Sequence, residues 1–355
     1  MAKKGKTVFS GIGGQAVLEG IMMKNKKQYS VAVRLPDGSI NVEVFDDNSA
    51  SANKKINKIP FVRGVVNFID SMVVGMKTLT YSASFFEEEP ADKKESFLEK
   101  KFGDKAESIV NGITIFVSII IAAGLFMLLP YFISELAGKY IRNDSLVAII
   151  EGVVRIAVFL IYVVAITMMK DIKRLYQYHG AEHKCINCVE HGRPLTVRNV
   201  MRCSRKHRRC GTSFLLIVMV VSIVLFFFIR VDSMLLRILL RLLLIPVIAG
   251  ISYEIIRYAG RHDNVLVRIL SAPGMWLQAL TTKEPDAEMV EVAIAAVEAV
   301  FDWERFENKH FTRKMVKKTA KREDGTVYET GDETMEINVI ELEERLNAIK
   351  EGQDD

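Results

Sequence analysis

Charged and apolar positions fall in long alternating blocks along this chain. Ile109 to Ser134 runs 26 positions without a charge, more than the about 20 apolar residues a helix needs to cross hydrocarbon. This block predicts a first membrane helix, kinked near its far end by Pro130. A second block, roughly 146–169, holds only Glu151 and Arg155, four apart and so on one helix face. Both are expected near the outer interface, where long side chains snorkel toward water. Gly211–Ile229 is uncharged for 19 residues and predicts a third crossing. The fourth, roughly 234–257, has Arg237 and Arg241 at its start and Glu254 at its end. The short RVDSM link makes the last two a helical hairpin.

The flanks follow other periods. In YSVAVRLPDGSINVEVFD, residues 29–46, Val31, Val33 and Leu35 alternate, then Ile40, Val42 and Val44, around Pro-Asp-Gly. That pattern predicts a β-hairpin, and Gly14–Met23 is expected to add a further strand. Gly11, Gly13 and Gly14 precede no Gly-Lys-Ser/Thr, so they read as a turn and not as a phosphate loop. In the mostly apolar stretch 60–86, Arg63, Asp70 and Lys77 recur every seven residues with Asn67 between them. The stripe predicts an amphipathic helix lying on a membrane surface, with a re-entrant or spanning helix as the alternative. Residues 265–281 are apolar but broken by Pro273-Gly274, with Trp276 suited to an interface. Residues 288–300 form a short amphipathic helix, and the charged remainder contains a late helix over MEINVIELEERLNAIK.

Together these elements predict an α-helical polytopic membrane protein. It has about four transmembrane helices, a small amino-terminal cytoplasmic β-unit and interfacial amphipathic helices. The expected divisions are a β-hairpin unit at 1–59 and an interfacial helix with charged linker at 60–108. A membrane domain at 109–285, with a His/Cys loop at 170–211, and a helical charged tail at 286–355 complete the chain.

Composition adds direction. The 355 residues are 50% hydrophobic and 26% charged, with a formal net charge of +5. The loop 170–211 carries eleven Lys/Arg against three acids, whereas the links 138–145 and 230–233 carry few. Positive residues favour the cytoplasmic side, so that loop and both termini are expected in the cytoplasm. Residues 1–10 are basic but lead into no apolar core or cleavage site, so they do not read as a secretory signal. All four cysteines lie between 185 and 210, a clustering that favours metal or redox use over a disulfide framework.

The chemistry concentrates there. His179 and His183 are four apart, which on a helix gives two neighbouring ligand positions for one metal. The string H-x-x-E-H matches the inverted zincin pattern, in which the Glu, here Glu182, is the base for a metal-activated water. A third ligand must come from elsewhere, and Cys203, His207 and Cys210 follow just before the third membrane helix. Cys185-x-x-Cys188 has knuckle spacing but Cys203 and Cys210 do not, so a mixed His/Cys site is preferred to a four-cysteine ribbon. The surrounding Arg202, Arg205, Lys206, Arg208 and Arg209 fit ordinary positive-inside charge. No aromatic residues interleave with them, and no specific nucleic acid is expected as a partner.

HGAEHK at 179–184, HRRCGTSF at 207–214 and GGQAVLEGIMM at 13–23 together resemble the YqhQ-like family of bacterial membrane proteins. The resemblance covers most of residues 10–300. It implies a metal-dependent enzyme in the bacterial plasma membrane. It also implies importance for Gly14, Gln15, Glu19, Gly20, His179, Glu182, His183, His207, Cys210, Gly211 and Thr212. Cys185, Cys188 and Cys203 lie outside its motifs, which leaves His179, His183, His207 and Cys210 as the implied ligand set. Where the family often carries His-Pro-Arg-Cys, this chain has His207-Arg208-Arg209-Cys210.

The expected function is therefore a membrane-embedded, zinc- or other transition-metal-dependent hydrolase working at the bilayer interface, with Glu182 catalytic. The alternative is a non-enzymatic scaffold in which the same residues form a structural site. Its soluble parts would then bind a membrane-protein partner such as biogenesis machinery. Glu254 is a further candidate ligand or proton carrier, although pairing with Arg257 is the simpler expectation. A transporter is disfavoured, because only Glu151 and Arg155 are clearly intramembrane ionisable residues and no inverted repeat is visible.

Overall fold

The computed structural model describes residues 7–49, 58–86, 106–207, 210–229, 231, 233–259, 262 and 264–311, and four short strands beyond them. Arg208, Arg209, the linker 87–105 and the tail from 339 onward lie outside the described residues.

The amino-terminal unit is a four-stranded antiparallel meander: β1 Gly13–Val17, β2 Gly20–Asn25, β3 Gln28–Arg34 and β4 Ile40–Asp46, in that order across the sheet. The expected 29–46 hairpin is β3 with β4. The single strand expected over Gly14–Met23 is two strands, because Leu18-Glu19 turns the chain and Glu19 takes a positive φ of 49°. Period-2 alternation then gives the sheet two apolar faces. Ile21, Met23 and Ala32 point to one side, and Val17, Met22, Val31 and Val33 to the other.

Helix α1, Val62–Ala83, covers the second face with Val74 and Tyr81. Its amphipathicity runs opposite to a soluble surface helix. Gly64, Val74, Gly75, Thr78 and Ser82 are buried, while Phe61, Ile69, Met72, Val73 and Met76 are about half exposed. Small residues, with Val74, meet protein, and most of the large apolar ones face outward.

Helices α2 Ala106–Ala123 and α3 Leu129–Gly138 are joined by one wide π turn, Gly124–Leu128. Pro130 sits in the first turn of α3, where its missing N–H costs little. Then come α4 Asp144–Thr167, α5 Lys170–Glu190, the short α6 Val197–Met201, α7 Gly211–Phe227, α8 Met234–Ala259, α9 Val265–Thr281, α10 Ala287–Glu298 and α11 Trp303–His310. Among the described residues, three helical stretches are long and apolar enough to cross a membrane: Gly112–Gly138, Asp144–Thr167 and Leu235–Ala259. The third expected crossing, 211–229, is a shorter apolar helix, α7, which closes after 17 residues at Phe227. Two further expectations change. Helix α9 passes through Pro273-Gly274 unbroken; Gly274 lies against Ser213 of α7, where an added Cβ would come within 2.6 Å of Ser213 Oγ. Met335–Asn338, the start of the expected late helix, is a strand paired with Arg313–Val316.

Glu151 and Arg155 are buried, not snorkelling. Arg155 Nη2 donates to Glu151 at 2.6 Å, and Arg241 Nη2 of α8 donates to its other oxygen at 2.8 Å. The triad joins α4 to α8.

The 170–211 segment is mostly not a loop. Helix α5 occupies Lys170–Glu190, and every residue from Gly180 to Glu190 is buried. The reason is its central position. The sheet packs on it through Ile12, Ile21 and Met23, α10 through Met289, Val292, Ala293 and Ala296, and α6 through Val200. Ser30 Oγ locks β3 to α10 by donating to the Ala296 carbonyl at 2.6 Å. The amino-terminal strands, the His/Cys helix and residues 287–311 thus share one core across the sequence boundaries drawn at 59, 109 and 286.

Candidate metal centre

Helix geometry places His179 and His183 one turn apart, with ring centroids 4.4 Å from each other. Each ring is fixed by a backbone carbonyl. His179 Nδ1 donates to the Thr281 carbonyl at 2.9 Å, and His183 Nδ1 donates to the Arg205 carbonyl at 2.6 Å. A carbonyl only accepts, so both rings carry the Nδ1 proton and keep an Nε2 lone pair. Histidines that bind metal are oriented in this way by a second partner. His179 Nε2 lies 3.1 Å from Cys210 Sγ, and His183 also hydrogen-bonds that sulfur. One ligand atom each from His179, His183 and Cys210 fall within 4.8 Å of one another. Cys210 caps α7, where the positive end of the helix suits an anionic ligand. Two imidazoles with free Nε2 atoms and one sulfur make a donor set that fits a zinc-like ion.

The carbonyls that aim the imidazoles come from strapped segments. Asn187 Nδ2 donates to the Ser204 and Lys206 carbonyls at 2.6 and 3.0 Å, and buried Lys184 donates to Met201 at 2.8 Å. Together with His183 they hold residues 201–206 along α5. On the other side Gly180 lets the chain after α9 pass; a Cβ there would stand 2.0 Å from the Lys283 carbonyl oxygen. That contact keeps Thr281 above His179.

Glu182 sits on the same helix and is buried. Burial drives its carboxyl above the usual carboxylate range, while neighbouring His179 and the backbone N–H of Gly14 pull the other way. Burial also pushes the His183 imidazole down, against the Cys210 contact. A cavity of about 720 Å³ adjoins the centre, lined by His179, Glu182, His207 and Cys210 together with β1, α1 and α7 residues.

The other expected residues are placed as follows. His207 lies beside His183, with ring centroids 5.7 Å apart, but its Nε2 faces Glu190 Oε2 at 3.3 Å and it stands outside the three-residue cluster. Gln15 lines the cavity and reaches the Gly75 carbonyl at 3.5 Å. Glu19 binds Arg174 and accepts from Tyr178 Oη at 3.2 Å, away from the centre. Glu254 pairs with Arg63 of α1, with Arg63 Nε at 2.6 Å, and is not brought to the site. Cys185, Cys188 and Cys203 are buried in the core with α10. A hydrogen bond from Cys188, with Arg193 nearby, holds the Cys203 thiol down at about 7 and pushes Cys188 up.

Gln278 escaped the sequence reading. It is fully buried, accepts from His207 N at 2.9 Å, and donates to His207 O at 2.6 Å and Ser213 Oγ at 3.2 Å. Its one signal was an amide inside the apolar run MWLQAL. Glu190 was missed as well; it accepts from Ser10 N and Oγ at 3.0 and 2.9 Å and ties the amino-terminal segment to His207.

Comparison with known proteins agrees with the motifs. A family described as "Protein of unknown function (DUF1385)" matches residues 59–303. The chain is 38% identical over 287 residues to the protein named "Uncharacterized protein YqhQ" of Bacillus subtilis (strain 168), covering 79% of this chain and 89% of that relative. No solved structure matches. The chain belongs to this DUF1385, YqhQ-like family.

Proposed function

We propose that this protein is a multi-pass protein of the bacterial plasma membrane, with both termini cytoplasmic, that hydrolyses its substrate at a zinc centre on the cytoplasmic face. Convergence of His179, His183 and Cys210 with both Nδ1 atoms already engaged is the observation that carries the reading. Catalytic zinc sites have three protein ligands and one open position, and this cluster offers three. The bilayer is the first partner: the outward apolar rows of α1, α2 and α8 are suited to lipid, and the basic residues around the centre suit the cytoplasmic side.

His179, His183 and Cys210 would hold a divalent ion, which would supply Lewis-acid activation of a water and a substrate oxygen. Glu182 serves as the proton carrier. Burial raises its carboxyl above the usual carboxylate range, which makes it a stronger base for a proton taken from water. It lies against Gly14 at the cavity wall. Glu190 holds His207 beside His183.

Metal analysis of the full-length protein in detergent tests this. One zinc per chain is expected, retained in Glu182→Gln and lost in His183→Ala, while Glu182→Gln fails to complement a deletion strain. Metal-free protein of normal fold overturns the centre. Glu182→Gln that complements fully overturns the hydrolytic role.

A further inference from the structure

β1 is an outer strand: β2 pairs with one side of it, and among the described residues no strand pairs with the other. With two residues between the paired Val17 and Gly20, the ladder bonds to β2 fall on Val17, Gln15 and Gly13, and Gly14 turns its N–H and C=O to the free side. In an antiparallel pair alternate residues turn their N–H and C=O groups the same way, so those of Ala16 leave the sheet on the same side. Outside the ladder, no hydrogen bond engages Ala16 among the described residues. The 720 Å³ cavity borders this edge from Ala16 to Gly13 and follows α5 from Leu175 to Ile186. Eleven helical steps make about 16 Å, the reach of about five residues of extended chain. Val74 of α1 and Leu215 of α7 add apolar walls, and His179 and Glu182 stand midway.

From this we infer that the substrate is an extended, apolar polypeptide segment that adds to β1 as a fifth strand. The inference rests on the metal-centre reading above. A sheet edge is a template for such pairing. Main-chain groups would meet Ala16, while alternate side chains enter the apolar walls. An acyl chain would use the walls but leave the edge groups unmatched. The pairing presents a peptide carbonyl to the His179–His183–Cys210 centre. Water adds its oxygen to the carbonyl carbon, the C–N bond breaks, and the water proton passes through Glu182 to the departing amine. A carboxylic acid and an amine result, with water as the only co-reactant.

Binding to zinc-loaded full-length protein in detergent tests this with four probes: acetohydroxamate, a trileucine hydroxamate, its N-methylated analogue and octanohydroxamate. The trileucine probe is expected to bind about tenfold tighter than the N-methylated one. Ala16→Pro removes an outward N–H without a ladder bond and should abolish that preference, leaving acetohydroxamate binding and zinc content unchanged. Because N-methylation alters the probe alone, its effect remains readable if Ala16→Pro folds poorly. Equal binding of the trileucine, N-methylated and octanoyl probes, with acetohydroxamate still bound, overturns the peptide inference and leaves the centre standing. Loss of acetohydroxamate binding together with absent zinc overturns the centre itself. A plain trileucine amide that still prefers unmodified protein over Ala16→Pro would then uphold the strand pairing alone.

Discussion

Cys210 Sγ stands 3.1 Å from His179 Nε2 across 31 positions of sequence. The contact closes a three-residue cluster from the middle of one helix and the cap of another. His207, three residues before Cys210, turns instead to Glu190. Removing Cys210 or His207 should therefore have different results. Cys210→Ser is expected to reduce bound zinc to trace levels, whereas His207→Ala keeps it and lowers thermal stability. Elemental analysis of purified variants decides; equal zinc loss in both would make His207 a fourth ligand and the site closed.

Gln278 clamps His207 by its backbone N–H and C=O. In Gln278→Leu both bonds disappear from a buried setting, at about 1–3 kcal/mol each. The segment leading to Cys210 loosens, and zinc affinity should fall about 10–100-fold, as for other supporting residues around metals. Competition with a chromophoric chelator measures it.

Glu151 pairs with two buried arginines, Arg155 and Arg241. Glu151→Gln leaves both cations facing each other inside the helix bundle, and breaking a buried pair costs about 3–5 kcal/mol. A lowered melting temperature in detergent is expected, with part of the loss recovered when Arg241→Met is added. No change in melting would mean that the arginines find water or headgroups instead.

Glycines at two sites should respond in opposite directions. At Gly180 a methyl group would stand 2.0 Å from the backbone oxygen of Lys283, and backbone must move, so Gly180→Ala is expected to lose about 1–3 kcal/mol. At Gly112 an added Cβ would meet nothing within 4 Å among the described residues, and Gly112→Ala should be neutral or gain up to about 1 kcal/mol from helix propensity. Thermal scans of the pair give the comparison.

Tyr81 supplies a pH dependence. Burial and its hydrogen bond to Glu43 push the phenol up from 10.0 to about 12. Between those values the folded chain holds a proton that the unfolded chain has released, so stability falls as pH rises through the window. Below it the contribution is complete. Tyr81→Phe should be less stable than the parent at neutral pH and lose less between pH 10 and 12, as followed by chemical denaturation and tyrosinate absorbance.

Much of this architecture was legible in one dimension. Uncharged runs marked the long apolar helices, because hydrocarbon tolerates no unpaired charge. Alternation marked β3 and β4, and H-x-x-E-H put two imidazoles on one helical face whatever the surroundings. These are local rules, acting over a few residues. The sequence left open what those faces meet. Only packing made α5 the centre of a shared core and turned His207 toward Glu190. It also showed that α1 points its large apolar side chains outward and that α9 runs through its proline. In each case the deciding contact lies far along the chain: Thr281 on His179, Gln278 on His207, Ser213 against Gly274. Periodicity carries no information about such distant neighbours, which is why the ligand set could be narrowed from residue types but chosen only in three dimensions.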